Sequence, residues 1–241
     1  MSCKSLASFP NNEPSSSVAG ATVKMTASWT ANAYTVKYNA NGGSGSMANT
    51  THTYDVAMNL RSNAFSRSGY LFLGWSTNSS AADPSYGNGA SVKNLTSTNG
   101  GVINLYAVWL DCQYYYRNSG IEKTVTNNSN PELRYNISSQ LNIAKLKQYG
   151  CTRAKITVTF TINELNDGYQ QMRFRADGDV AISDLIEYNT AGNSVGSSSK
   201  TYTNDIPIDM IMSTFGISLD DRGAFKNNWE FKNVTITITY Y

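Results

Sequence analysis

The chain has 241 residues, a mass of 26.4 kDa, a formal net charge of +2 and only 15% charged residues, well under the roughly 25% of an average soluble domain. Near-balanced charge with no basic stripe argues against nucleic acid as a partner, and the apolar runs are far too short to span a bilayer. Ser, Thr and Asn together make up about a third of the chain, alongside 16 Tyr and 18 Gly, while hydrophobic residues reach 40%. That composition excludes disorder and predicts an all-β protein with polar outer faces and many turns.

An internal repeat opens the chain. ATVKMTASW (21–29) aligns without gaps on GVINLYAVW (101–109), pairing Val23 with Ile103, Met25 with Leu105, Ala27 with Ala107 and Trp29 with Trp109. Both copies have the period of two of a half-buried strand. Residues 1–33 therefore read as a partial or truncated unit and 34–110 as a complete one, as in proteins that string small units in arrays.

Within the complete unit, Tyr34, Val36 and Tyr38 share one face of a strand that ends in Asn39-Ala40-Asn41-Gly42-Gly43, a run suited to positive φ. A second strand is expected over Thr53 to Leu60. A third runs through Gly69-Tyr70-Leu71-Phe72-Leu73-Gly74-Trp75, and Leu105 to Trp109 closes the unit. Trp29, Trp75 and Trp109 are expected in the core, and His52 is expected as an exposed strand residue.

Three blocks, YTVKYNANGG (34–43), RSGYLFLGW (67–75) and LYAVW (105–109), resemble the Listeria–Bacteroides repeat, also called the internalin B-repeat. The resemblance implies a small β-grasp-like module, found in tandem on bacterial surface proteins and in phage-encoded proteins, that spaces, displays or adheres rather than catalyses. Residues 1–20 lack the G-Y-x-F-x-G-W block.

Residues 111–241 form a second predicted domain. Ile156, Val158, Phe160 and Ile162 alternate with polar residues, as do Met172, Phe174 and Ala176, and again Ile206, Ile208 and Met210. Asn166-Asp167-Gly168 and Asp177-Gly178 read as turns. Val234, Ile236, Ile238 and Tyr240 are expected inside, with Thr235, Thr237 and Thr239 outside. One helix is predicted from about Ser139 to Tyr149, with Ser138 or Ser139 as N-cap and Gly150 as the stop. Seven or eight such strands point to an antiparallel β-sandwich of jelly-roll type.

Catalytic groups are scarce. His52 is the only histidine, and no G-x-S-x-G, P-loop or dinucleotide pattern occurs. A two-carboxylate glycosidase would have to draw on Glu164, Asp167, Asp177, Asp179, Asp220 and Asp221, several of which turn chemistry already explains. No cofactor is expected. Asp177 and Asp179 carry the hard oxygens calcium needs. Tyr115, Tyr169 and Trp229 are the aromatic candidates for ligand contact, since a flat ring buries much area at little rotamer cost. Cys112 and Cys151 could pair, although isolated thiols are the simpler reading.

The expected function is non-catalytic surface display or attachment. MSCKSLASFPNNEP lacks a signal-peptide core and ITITYY ends without an anchor. These features favour an exterior virion component of a bacteriophage, such as a decoration, fibre or tail protein, at the virion surface. The alternatives are a fragment of a bacterial cell-surface adhesin, extracellular, or an accessory carbohydrate-binding module of a secreted glycosidase. Expected partners are other virion or cell-surface proteins, a glycan or host surface, and further copies in a homo-oligomer.

Overall fold

The computed structural model describes residues 4–6, 29–125, 132–164, 169–183, 186–189, 197–220 and 229–241. The chain divides into a first compact unit that ends at Trp109 and a second that runs from Leu110 to Tyr241 and takes in Gly69–Leu71.

In the first unit, β1 (Lys4–Leu6) pairs with β2 (Trp29–Ala31), with Leu6 opposite Trp29. Trp29 is 47% exposed, which corrects its expected place in a core. Of the first repeat copy, residues 21–28 lie outside the described residues. The main sheet has the order β4-β3-β8-β6, built from β3 (Ala33–Asn39), β4 (Thr50–Thr53), β6 (Tyr70–Ser76) and β8 (Val102–Asp111). Strands β3 and β8 pair in parallel at its centre, Thr35 opposite Val102 and Asn39 opposite Tyr106. Parallel neighbours need a long crossover, and residues 40–101 supply it. They include β5 (Met58–Asn59) and β7 (Ser91–Val92), which form a small ladder. The strand expected over 53–60 is therefore two pieces, 50–53 and 58–59. Asp55, at φ 65, turns the chain between them.

The motif residues act through backbone proximity. Trp75 is fully buried and meets Tyr38, Phe65 and Phe72 edge-on, with ring centroids 5.0, 6.2 and 5.0 Å away. A Cβ on Gly74, at φ 149, would lie 2.4 Å from the Tyr86 carbonyl oxygen, so no side chain fits before that tryptophan. Asn41, at φ 48, donates its amide to the Ser79 and Ala107 carbonyls, and the half-buried Trp109 donates Nε1 to the Ala40 carbonyl.

Among the described residues the second unit holds eight strands: β9 (Gln113–Val125), β10 (Glu132–Asn136), β11 (Arg153–Glu164), β12 (Tyr169–Arg175), β13 (Ile186–Asn189), β14 (Ser197–Pro207), β15 (Thr214–Asp220) and β16 (Trp229–Tyr240). They form two four-stranded sheets, β14-β11-β16-β9 and β10-β15-β12-β13, antiparallel throughout. Counted within the unit, the orders are 6-3-8-1 and 2-7-4-5, the strand order of a double Greek-key jelly roll. Period-two alternation places Ile156, Val158, Phe160 and Ile162 of β11 in the core. Val234, Ile236, Ile238 and Tyr240 of β16 join them, as do Met172 and Phe174 of β12.

Local corrections follow from caps and turns. The helix α1 is only Ile143–Gln148, because Asn142 is its N-cap and its side chain accepts from Lys145 N–H at 3.0 Å. Ser138 and Ser139 instead bond back to Asn136. Strand β14 stops at Pro207, and Ile208–Met210 is a 3₁₀ turn rather than a continuation of the alternation. Asp177-Gly178-Asp179 is likewise a 3₁₀ turn with Gly178 at φ 66, not a two-residue hairpin. Cys112 and Cys151 are buried free thiols.

Candidate functional site

His52, the one residue able to serve in a classical triad, is fully buried in the first unit, contrary to its expected exposure. Strand β4 places it opposite Tyr34 of β3, and the two rings stack at 5.5 Å. Arg61 N–H donates to the Tyr38 hydroxyl, which lies 3.2 Å from Thr50 Oγ1, itself 3.0 Å from His52 Nε2. The imidazole tautomer sets which of Thr50 Oγ1 and Nε2 donates, and Nδ1 is a buried atom with no partner among the described residues. Desolvation by burial lowers the imidazole pKa below its ordinary value. His52 is a packing residue.

Asp177 has a structural task. Its carboxylate accepts from three successive N–H groups, Met212 at 2.6 Å, Ser213 at 3.0 Å and Thr214 at 2.7 Å, and from the Ser213 and Thr214 hydroxyls. Burial pushes its pKa up, but the bonds from Thr214, Met212 and Ser213 outweigh that and hold the carboxyl below its usual value. Its oxygens are thus already engaged by donors from the chain. The Asp179 side chain lies outside the described residues, and among the described residues no group of three His, Cys, Asp or Glu side chains gathers as for a metal. The turn at 166–168, and the side chains of Glu164, Asp220 and Asp221, also lie outside them.

A second carboxylate joins the edge strands β9 and β10 of the two sheets. Glu122 accepts from the Tyr116 hydroxyl at 2.8 Å, the Tyr135 hydroxyl at 3.1 Å and the Asn118 amide at 2.7 Å. Register shifts between β9 and β16 leave Glu122 unpaired between Ile121 and Lys123 and set Ser119 and Gly120 against Asn233, and these bulges turn Glu122 toward the tyrosines. Burial, with the Glu122 hydrogen bond and charge adding to it, pushes Tyr116 up to about 12. Both tyrosines are therefore protonated donors at neutral pH.

The three aromatic candidates do not form one site. Tyr115 projects from β9, 51% exposed, while Tyr114 on the opposite face is buried. Through its register partner Thr237, Tyr115 joins the row Thr203–Thr157–Thr237–Tyr115 across the outer face of the β14-β11-β16-β9 sheet. A parallel row runs Thr201–Thr159–Thr235–Arg117. The face is a threonine grid with an aromatic ring at its margin. Trp229 lies opposite Val125 and Glu164, and Tyr169 opposite Asn189, at strand ends that flank residues 126–131, 165–168, 190–196 and 221–228. Those strand ends gather at one end of the jelly roll, whereas Tyr115 lies toward the other. The side chains of Tyr169 and Trp229 lie outside the described residues.

One surface feature escaped the sequence reading. An open cleft of about 750 Å³ runs between β14 and Ala181–Ser183, and Arg173, Tyr202 and Asn204 are among its lining. Only the inward phase of β14, set by its pairing with β11, reveals it.

The comparisons bear on the first unit. Residues 34–108 match the Listeria-Bacteroides repeat domain. The match spans the Asn-Gly-Gly turn, the Gly74-Trp75 packing and most of β8, and this repeat is a non-catalytic type of module. No curated protein matches the chain. Among solved structures, the VP2 subviral particle of infectious bursal disease virus is 11% identical over 54% of this chain and 33% of that one, with a TM-score of 0.37. Dimeric latent PorU from Porphyromonas gingivalis is 10% identical over 54% and 13%, with a TM-score of 0.35. The coat protein of tobacco streak virus is 12% identical over 53% and 85%, at a TM-score of 0.20. The matched region spans a third or less of the first two chains.

Proposed function

We propose that the protein is a non-catalytic display or attachment protein on the exterior of a bacteriophage virion, as a decoration, fibre or tail component. The observation that carries this reading is the union, in one chain, of a Listeria–Bacteroides repeat with a jelly roll whose outer face is a threonine-rich grid. Such a polar face stays wet, as a protein held out on a surface requires, and the carboxylates Asp177 and Glu122 are engaged in holding the sandwich together. Immunogold labelling with antibody against the full chain tests the setting. Gold on phage particles supports the virion reading. Gold confined to the bacterial envelope moves the protein to a cell-surface adhesin, and gold on neither overturns display.

A second reading, a carbohydrate-binding module, is favoured by the exposed Tyr115 ring beside rows of hydroxyls, a surface suited to a sugar's apolar face and hydroxyl rim. Loss of glycan-array binding in Tyr115→Ala supports it, and equal binding by that variant and the parent counts against it.

A further inference from the structure

Strand β14 is an edge strand, and its even-numbered residues face inward. Tyr202 sits opposite Val158 and Asn204 opposite Ile156, and both β11 partners are fully buried. Polar side chains thus stand where the alternation would place core residues, and the cleft opens in front of them. Its walls are already fixed. The Tyr202 hydroxyl donates to the Ile182 carbonyl at 3.1 Å, the Asn204 amide donates to the same oxygen at 2.6 Å, and Ser183 Oγ accepts from Phe174 N–H at 3.0 Å. The Tyr202 ring packs on Phe174 at 4.3 Å. Ile182, Ile206 and Met210 supply an apolar floor, with Ser183 as a hydroxyl in the lining. The volume falls in the range of about 300–1,000 Å³ usual for small-molecule sites.

Arg173 is the one charged residue among the described lining. It is half-buried, its covered Nε has no acceptor among the described residues, and no described carboxylate forms an ion pair with its guanidinium. A buried N–H without a partner is costly, and cationic groups in that state are especially so. The guanidinium fork is shaped for a carboxylate.

We propose that this cleft binds a sugar bearing a carboxylate, a sialic or uronic acid residue, whose anion pairs with Arg173 while its ring rests on the apolar floor. The anion follows from Arg173, and the choice of a sugar rests on the attachment reading above. Walls fixed before the ligand arrives reduce the ordering that binding would otherwise demand.

The test is an NMR titration of the ¹⁵N-labelled full chain with N-acetylneuraminic acid and with glucuronic acid, using galactose and acetate as controls. The expected result is saturable shifts of the Ile182 and Ser183 amides and of the Arg173 Nε–H with at least one acid, and which acid does so identifies the class. Loss of a charge-assisted bond predicts about tenfold or greater weakening in Arg173→Gln, with an intermediate effect in Arg173→Lys. Lys155→Gln, which removes one charge from the outer face of the opposite sheet, is expected to bind as the parent does. Arg173→Gln is expected to melt no lower than the parent, because Nε has no hydrogen bond to lose. The proposal is overturned if neither acid saturates, if galactose or acetate binds as tightly, or if Lys155→Gln weakens binding as much as Arg173→Gln. A failed titration with gold still on particles removes the cleft and leaves the attachment reading standing.

Discussion

Asp177 is the residue whose removal the second unit should feel most sharply for its size. Replacing it by Asn leaves the N–H groups of Met212, Ser213 and Thr214 facing a weaker and partly mismatched acceptor. The expected cost is about 2–3 kcal/mol in urea unfolding, from the usual worth of hydrogen bonds to a charged group. Because the folded carboxyl titrates below its unfolded value, this stabilisation is present in full above the unfolded pKa and is lost as pH falls through the folded one. His52 adds a separate dependence at milder pH. Its folded pKa is depressed, so the unfolded chain takes up the proton first and the first unit loses stability as pH falls below about 6.5, the ordinary imidazole value. Thermal melts at pH 7.5 and 5 should show the drop in the parent and a smaller one in His52→Phe. Gly74→Ala is a harsher change. With 2.4 Å between the new Cβ and the Tyr86 oxygen, it should abolish the native near-UV dichroism of the buried Trp75.

At the scale of the element, strands β11 and β16 show how well period two reports a sandwich core. Every second residue of β16 from Val234 to Tyr240 is buried, and the threonines between them are half-exposed. Ile236→Ala should cost about 2–5 kcal/mol, the range for emptying a core site. Thr237→Ala on the outer face should stay within about 1 kcal/mol. Asn142→Ala, which removes the cap of a six-residue helix, should cost about 1 kcal/mol by thermal unfolding. The alternating strands were legible because burial on one face writes itself into the residues of that strand alone. The cap was not, since Ser138, Ser139 and Asn142 are equally able to accept a hydrogen bond and only the path of residues 136–143 decides among them. His52 misled for a related reason: β4 is four residues long, too short for its alternation to be distinguished from a polar loop.

At the scale of the whole molecule, the two units differ in how they announce themselves. The Asn-Gly-Gly and Gly-Trp blocks mark the repeat because backbones pass so close there that few residues fit. The jelly roll has no such marks. Its strand order depends on pairings between residues as far apart as Gln113 and Thr239, and no local pattern carries a partner's identity. The cleft was invisible for the same reason, since its walls come from β12, residues 181–183 and β14, which only the pairing of distant strands brings together. If the protein is an exterior component, phage with the gene deleted should assemble with unaltered capsids but lose the gold label, which electron microscopy of the particles would check.

The neighbour relations of β9 have a consequence for how the protein is made. In its sheet β9 has one neighbour, β16. The first strand of the jelly roll therefore emerges from the ribosome more than a hundred residues before β16, the strand it pairs with. No zippering from the amino end can begin, and the sandwich must close late and all together, by pairings of high contact order that run on a timescale of roughly milliseconds to seconds. Until then Tyr114 and the inward side of β9 are bare apolar surface, a window in which nascent chains at high concentration can mispair. A chain cut short before residue 229 would forfeit more than its last strand. It would strand the first.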